Sequence, residues 1–447
     1  MKKIKISNGL KNVGKISSGT LLGQLIAIVS LPILTRLYGS EIIGYMTLFT
    51  SIATVINSFS DLGLTNAIMI ATNEEKSYQI YKVVSSINFF ISVASFCIIP
   101  LIYSGEKQYN PFFIGFMVSI IVLTQQQIQI SYTWLNKNQK YNILMKNPII
   151  NQVAIFAISV GLYFTGVNKF GYFIGVLTGQ LLTLLNMKRY LPKSKIVFNL
   201  SKYKKVINEN KDFVFYQLPT TVLTNVKNQL PTFLINNFFG TTILGYYSIT
   251  QKILNIPINL LANAIGKVFF SNISKMVQNG EKIGEYVFQN LKRATYISII
   301  PITLLISLSN IAIYIIMGYF NDIASQMLQA SSIQAIFTFL MMSLSGIYIV
   351  IHKQSYALRS VIAQMLGYVI GFGLGKFIFN DIVPALYITT IIYSIIQIIY
   401  FSFIFKAINI SPIRYLKNVI LCLMVIITLS AILSFVFNQI FKGVLLW

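Results

Sequence analysis

The sequence predicts an all-α polytopic membrane protein: two pseudo-symmetric six-helix bundles around a central cavity, followed by a further C-terminal helix. Three observations predict it. The 447 residues are 55% hydrophobic and only 10% charged, with mean hydropathy +0.69. Apolar runs longer than about 18 residues recur from end to end, as spanning helices require. A short motif near the beginning also returns in the second half with the same spacing.

Polar breaks divide the apolar runs into thirteen expected helices, at 15–37, 41–70, 80–103, 110–135, 143–165, 168–190, 212–239, 243–275, 291–317, 323–351, 357–380, 382–406 and 414–438. Several exceed the roughly 20 residues needed to cross, so they tilt or project. With the N-terminus inside, 27 of the 35 Lys and Arg residues fall on the inner side. Five fall on the outer side (Arg36, Lys107, Lys169, Lys376 and Lys442), and Lys227, Lys252 and Lys267 fall within spans. This asymmetry places the N-terminus on the cytoplasmic side of the membrane.

The longest inner connection, "KRYLPKSKIVFNLSKYKKVINENKD" (188–212), is strongly basic and marks the lobe boundary. The expected organisation is an N-terminal lobe at 1–190, a basic cytoplasmic linker at 191–211, a C-terminal lobe at 212–406 and an additional helix within 407–447. "LPILTRLYGSEIIGYM" (31–46) recurs as "LPTFLINNFFGTTILGYY" (230–247), with GSEIIGY and GTTILGY in identical spacing. Six helices per half give both copies the same orientation. A parallel duplication of this kind is the physical basis of alternating access around a cavity between two bundles.

Other function classes find little support. A net charge of +24 would suggest nucleic acid in a soluble chain, but here the charges gather in alternate loops of an apolar protein, so no nucleic-acid partner is expected. Two cysteines in apolar runs and a single histidine give neither a disulfide framework nor a metal cluster. The apolar run after "MKKIKISNGLKNVGK" extends to Leu37 without a small-residue cleavage site, and so reads as the first span rather than a signal peptide. "GFGLGKF" (371–377) lies inside a span with no preceding strand. Its Gly367, Gly371 and Gly375 spacing marks a close helix-packing face. No nucleophile-base set or acid-base pair suggests an enzyme, and no cofactor is expected.

The informative residues are polar ones inside apolar helices. At 100° per residue, Lys252, Asn255, Asn259, Asn263 and Lys267 share an arc of about 120°. A lysine at the bilayer centre costs roughly 2.5–3.5 kcal/mol on insertion scales, so this face is expected to avoid lipid. One reading is a hydrated, positively charged wall for an anion, with Pro257 kinking a moving helix. The plain alternative has Lys267 snorkelling while the asparagines join helices. In the first half, Thr50, Thr54, Asn57, Asp61 and Thr65 form a matching stripe. Asn225, Lys227, Asn228 and Gln229 add polar surface from the seventh expected helix, and Gln125, Gln129 and Tyr132 from the fourth. Together they suggest a water-filled cavity. Asp61, the one acid well inside an expected span, fits either a coupling proton or sodium ion, or a structural pair with Arg36 or a lysine.

The stretch "LPILTRLYGSEIIGYMTLFTSIATVINSFSDLGLTNAI" resembles the N-terminal signature of Wzx-type polysaccharide (O-antigen or capsule) flippases, within the superfamily of multidrug, oligosaccharidyl-lipid and polysaccharide exporters. The resembling parts are the Leu-Tyr-Gly turn, the following Gly-Tyr and "DLGLTNA" (61–67). "FFGTTILGYYSITQKILNIPINLLANAIGKVFF" (238–270) resembles the same family's seventh-to-eighth helix region. The resemblance implies alternating-access transfer of an undecaprenyl-pyrophosphate-linked oligosaccharide between leaflets. The implied partners are that glycan lipid, the membrane lipids and polysaccharide polymerase machinery. Lys227, Lys252, Lys267 and Arg36 would then serve the pyrophosphate, and Thr54, Asn57, Gln125, Gln129, Asn228, Asn255, Asn259 and Asn263 the sugar. Many relatives carry an acid in the seventh helix, where this chain reads "NVKNQLPTFL" (225–234). The rival readings are a peptidoglycan-precursor flippase, whose cavity is richer in arginine, and a cation-coupled multidrug exporter, whose cavity favours acids.

Overall fold

Helices form at all thirteen positions that the apolar runs mark, and no strand occurs among the described residues. The structure, a computed structural model, describes residues 8–102, 109–193 and 196–441. Lys2, Lys3, Lys5, Lys107 and Lys442 lie outside them, as does the end of the C-terminal segment. Among the described residues eight helices are long and apolar enough to cross a membrane, or nine if one bent pair is a single span. The difference from thirteen has a physical origin. Three of the expected spans, near 168–190, 212–239 and 323–351, are too short or too polar to meet that standard, and two others join into one helix.

That joined helix is α1 (Asn8–Asn57), whose backbone departs from helical geometry at Gly39 (φ 74°, ψ 170°). Its 44-residue apolar stretch Gly14–Asn57 would rise about 66 Å if straight, twice the ~30 Å hydrocarbon thickness. The repeat explains the break. Gly240, 201 positions later, takes nearly the same conformation (φ 89°, ψ 169°) between two further helices. Such angles are essentially confined to glycine. The internal repeat is therefore a repeated backbone device as well as a repeated sequence.

The chain divides into two compact units, one ending at Thr232 and one beginning at Phe233. The division falls later than the basic connection, inside a helix. In the first unit α1 is followed by α2 (Ala67–Ile70), α3 (Glu74–Ile102), α4 (Pro111–Lys137), α5 (Tyr141–Phe164), α6 (Gly171–Lys188) and α7 (Leu200–Glu209), and α8 (Leu218–Phe239) runs across the division. Asn110 caps α4, its side chain accepting from the Phe112 N–H at 2.9 Å with Pro111 at the first helical position. Small residues bring α1 against α5: a Cβ on Gly23 would lie 2.8 Å from the Pro148 Cβ.

A core of Leu64, Ile68, Tyr81, Trp134, Leu144 and Met187 ties the end of the α1 region to α3, α4, α5 and α6. Val206 of α7 enters the same core, so this amphipathic helix, absent from the expected elements, is fastened to the bundle. Lys137, at the end of α4, donates to the carbonyls of Ile68 (2.9 Å) and Ala71 (2.7 Å) and to Ser77. It thus caps α2, as cations near helix C-termini do.

The second unit comprises α9 (Thr241–Pro257), α10 (Asn263–Gln278), α11 (Gly284–Ser307), α12 (Ser309–Met317), α13 (Asp322–Ser343), α14 (Ile347–Val350), α15 (Gln354–Leu374), α16 (Ile382–Ala407) and α17 (Pro412–Phe441). α11 and α12 meet at a 66° bend where Leu308 leaves helical geometry. The expected helix 323–351 is broken near Gly346, which has φ 78°. α15 packs on α16 through the glycine face: a Cβ on Gly371 would lie 2.6 Å from the Thr389 Cα, and one on Gly367 2.9 Å from Ile396. "GFGLGKF" is a packing surface, as its spacing indicates.

Two predictions follow from the backbone and the cap. Gly39→Ala and Gly240→Ala should each destabilise the protein by about 1–3 kcal/mol through φ alone, because open space surrounds both Cβ positions. Unchanged thermal unfolding of both variants in detergent would contradict this. Lys137→Met should lower the unfolding temperature more than Lys140→Met, which removes a charge without removing a cap; equal shifts would deny Lys137 its capping role.

Candidate functional site

α1 does not continue to residue 70 as the apolar run suggests. After Asn57 the ladder tightens, with Ser58, Phe59 and Ser60 donating to the carbonyls of Val55, Ile56 and Asn57 at 2.9–3.1 Å. Leu62 (φ 51°) and Gly63 (φ 74°) then reverse the chain. A leucine in this region costs roughly 1–2 kcal/mol, and its packing on the first-unit core helps to hold it there. Asp61 organises the turn: its Oδ1 accepts from the Gly63 N–H at 2.9 Å while its carbonyl accepts from Leu64 at 2.8 Å. Asp61 is therefore a turn residue beyond the helix rather than an acid within a span.

Gly63 also permits a close approach. A Cβ there would lie 2.9 Å from the Phe213 carbonyl oxygen and 3.2 Å from the Leu218 nitrogen. Phe213 opens a five-residue π-helical turn, Phe213–Gln217, that leads into α8. The turn after α1 and the entry to α8 thus meet backbone to backbone, and α4 passes beside both.

A cavity of ≈ 330 Å³ lies at this junction. α1 and its turn contribute Thr54, Asn57, Ser58, Asp61 and Thr65; α4 contributes Gln125, Gln126 and Gln129; the entry to α8 contributes Gln217, Thr221 and Asn225. With Asn66 and Gly63, every lining residue is an amide, a hydroxyl, a carboxylate or glycine. Hydrogen bonds connect the walls. Asn57 donates to Gln125 at 3.4 Å, Asn225 donates to Ser58 at 2.8 Å, and above them Ser51 donates to Gln229 at 2.8 Å. Thr54 and Ser58 donate down their own helix, to Thr50 and Thr54 carbonyls, and so keep lone pairs for other donors. The Thr65 hydroxyl is buried without a partner, leaving hydrogen-bonding capacity at the wall.

Of the residues singled out in the sequence, the structure brings together Thr54, Asn57, Asp61, Thr65, Gln125, Gln129 and Asn225. It places others elsewhere. Tyr132 spends its hydroxyl on the Leu144 carbonyl of α5. Asn228 is exposed and does not line the cavity. Lys227 is half-buried on α8 but about 200° around the helix from Asn225. Arg36 is exposed before the Gly39 break; from Gly39 to Asn57 alone α1 rises about 27 Å, so Arg36 is far from Asp61. Ser58, Gln126, Gln217 and Thr221 were not among the candidates. A period-four series, Gln217–Thr221–Asn225, carries the signal for two of them.

In the second unit, Lys252, Asn255 and Lys267 are exposed while Asn259 and Asn263 are half-buried. A π-helical turn, Ile258–Ala262, immediately follows Pro257 and separates α9 from α10. Its wider turn changes the helical phase, so the 120° arc drawn at 100° per residue does not hold across it. The proline kink expected here takes the form of this π turn, with the ring removing a backbone donor at its start.

Chemically, the first-unit cavity offers dense hydrogen bonding and a single formal negative charge. It suits hydroxyl-rich groups or a small cation, and it disfavours a phosphate. Lys227 and Arg36, which belong to the same unit, do not line this cavity. No group of three or more His, Cys, Asp or Glu residues that could hold a metal occurs among the described residues.

Comparisons with known proteins agree on the class. A family described as polysaccharide biosynthesis protein matches residues 33–321. An "uncharacterized membrane protein in cps region" of Klebsiella pneumoniae is 21% identical over 311 residues, which cover 68% of this chain and 62% of that relative. Among solved structures, a lipid II flippase MurJ in an inward closed conformation aligns with TM-score 0.71 at 17% identity, covering 97% of this chain and 99% of that one. An inward-facing multidrug resistance MATE family transporter of the MOP superfamily aligns with TM-score 0.64 at 16% identity, covering 89% and 98%. At such identities the two structures speak for the fold, which is that of an all-helical polytopic transporter. The family match spans well over half the sequence, so the chain, a multi-pass membrane protein, belongs to the polysaccharide biosynthesis protein family.

Proposed function

We propose that the protein moves an undecaprenyl-pyrophosphate-linked oligosaccharide, the repeat unit of a capsule-like or O-antigen polymer, between leaflets of the bacterial inner membrane by alternating access. One observation carries this reading: a cavity walled wholly by amides, hydroxyls, one carboxylate and glycine, with no aliphatic or aromatic side chain. Sugars present many hydroxyls, and a wall of donors and acceptors satisfies them at little desolvation cost. An apolar cationic drug would leave those groups unpaired, so the same wall argues against drug export. The relative from a cps region and the fold shared with a lipid II flippase support a lipid-linked saccharide.

In this mechanism Lys252 and Lys267 attract the pyrophosphate, with Lys227 and Arg36 further along its path. The lysines and asparagines of α9 and α10 flank a π turn, a feature often found at functional sites. Lys252 stands near the middle of the apolar stretch, while Lys267 lies close to the polar end "SNISKMVQ" (271–278). Asp61 serves the coupling ion, and the basic connections keep the N-terminus cytoplasmic.

The test is flipping of a fluorescent undecaprenyl-pyrophosphate oligosaccharide by the protein in liposomes. Wild type should flip it; failure with the matching sugar supplied would reject the substrate class. Lys252→Ala should slow flipping about tenfold or more, the scale of a charge-assisted hydrogen bond of roughly 1.5–3 kcal/mol. Lys267→Ala should slow it by less than about fivefold, as for a screened charge. Equal rates for all three proteins at matched amounts would remove the anion path.

Asp61 permits a sharper separation. Asp61→Asn keeps an oxygen to accept from Gly63, so folding should be preserved while ion-coupled transport is lost. Asp61→Ala should in addition destabilise the fold by about 1 kcal/mol, the usual net value of one hydrogen bond. Full transport by the asparagine variant would leave Asp61 with the turn alone.

A further inference from the structure

We infer that the cavity between the start of α3 and the 196–206 segment binds the phosphate headgroup of an anionic glycerophospholipid from the adjoining leaflet. The cavity measures ≈ 530 Å³, within the range of small-molecule sites. Its cationic groups are Lys82 of α3 and Lys202 and Lys205 of α7, against one acid, Glu75. Glu75 already accepts from Gln79 at 3.4 Å. Lys202 and Lys205 have no ion-pair partner among the described residues. Lys82 is held in place, its Nζ 3.9 Å from the centre of the Tyr78 ring.

The walls are fastened rather than loose. The Tyr78 hydroxyl donates to the Lys193 carbonyl at 2.7 Å, and the Val197 N–H donates to the Ser86 hydroxyl at 2.9 Å. The Tyr203 hydroxyl donates to the Val197 carbonyl at 2.7 Å, and Val206 is buried in the first-unit core. Asn199 caps α7, accepting from Ser201 at 3.0 Å, so the N-terminal end of this helix faces the same region. A phosphate meets three ammonium groups there with little ordering still to be done.

An independent observation makes the occupant a lipid. On α3, Phe90, Val93 and Phe96 lie within an arc of about 120° that also contains Lys82, and all three are exposed. This apolar strip runs into the membrane directly below the lysine. Phe198 is 80% exposed and meets Phe90 edge to face with ring centroids 5.9 Å apart; Leu200 is 70% exposed beside it. Cations beside exposed aromatic and aliphatic side chains, at the mouth of a spanning helix, match a headgroup above and acyl chains below. A soluble phosphate would have no use for the strip.

The full chain, purified in a neutral detergent, can be titrated with palmitoyl-oleoyl phosphatidylglycerol or the matching phosphatidylcholine and read by native mass spectrometry. Wild type should retain phosphatidylglycerol about tenfold more tightly. Lys82→Gln/Lys202→Gln/Lys205→Gln should reduce that preference to within about twofold. Lys76→Gln/Lys188→Gln/Lys193→Gln removes equal charge outside the cavity and should leave it intact. Phe198→Ser, which keeps every charge, should weaken retention about threefold. Equal loss in both triple variants would reduce the effect to surface charge, and retention by the cavity variant would overturn the site. Displacement of the lipid by glycerol 1-phosphate at equal concentration would replace the lipid with a free phosphate ester and also overturn the assignment. Should Lys82→Gln impair folding, Lys202→Gln/Lys205→Gln alone carries the test. None of these readings depends on flipping, so they stand or fall separately from the transport function.

Discussion

A peptide group within a bilayer has no water to pair with, and this constraint shapes most of the molecule. Every crossing segment must satisfy its backbone internally, so the chain is helical wherever it is apolar. Departures from helix then need residues that make them tolerable. Gly39 and Gly240 supply angles that other residues strongly avoid, and Pro257 removes a donor where the π turn begins. Leu62 is a non-glycine residue held in the left-handed region beside Gly63. These breaks coincide with the polar chemistry. The turn after Asn57 bounds the amide cavity, and the π turn separates Asn255 from Asn263.

The same scarcity of water governs the side chains. Serine and threonine hydroxyls mostly donate to carbonyls of their own helix, as Thr50, Thr54, Thr220 and Thr224 do. Charge is handled differently. Arg414 pairs with Glu285, bidentate at 2.8 and 3.2 Å and about half exposed, where such a pair contributes little stability. With 35 basic residues against 11 acids, the cations cannot be neutralised within the chain. Their counter-charge comes from outside the chain, and the proposed glycan-lipid cargo and bound phospholipid would each supply part of it.

Much of this was legible in the sequence because helix position depends on apolar run length, which a linear reading measures directly. The repeat was equally legible, since a glycine needed for its backbone angles recurs at the same point of its motif. Less legible were features set by three-dimensional packing. The apolar run through residue 70 conceals a turn, because Leu62 and Leu64 look like span residues but pack into a core instead. α7 is short and polar on average, and only its docked Val206 reveals that it belongs to the bundle. Half of the cavity was found by reading stripes on α1 and α4. Gln217 and Thr221 escaped because the π turn ending at Gln217 interrupts the helix just where their period-four series with Asn225 begins.

In the proposed function the lysines and amides, read from sequence as one polar surface, take separate physical tasks. A pyrophosphate brings two or more negative charges and is drawn to ammonium groups, whereas a sugar brings hydroxyls and needs neutral donors and acceptors at fixed angles. A carboxylate among the amides fits that division, because Asp61 would repel an anion from the cavity wall. Asp61 also builds the turn that touches the entry to α8. Any group that competes for its carboxylate, a proton or a small cation included, therefore acts on the hydrogen bond to Gly63. Through Gly63 it acts on the backbone contact with Phe213. In the proposed transport cycle, that contact links ion binding at Asp61 to the entry of a helix that lines the cavity.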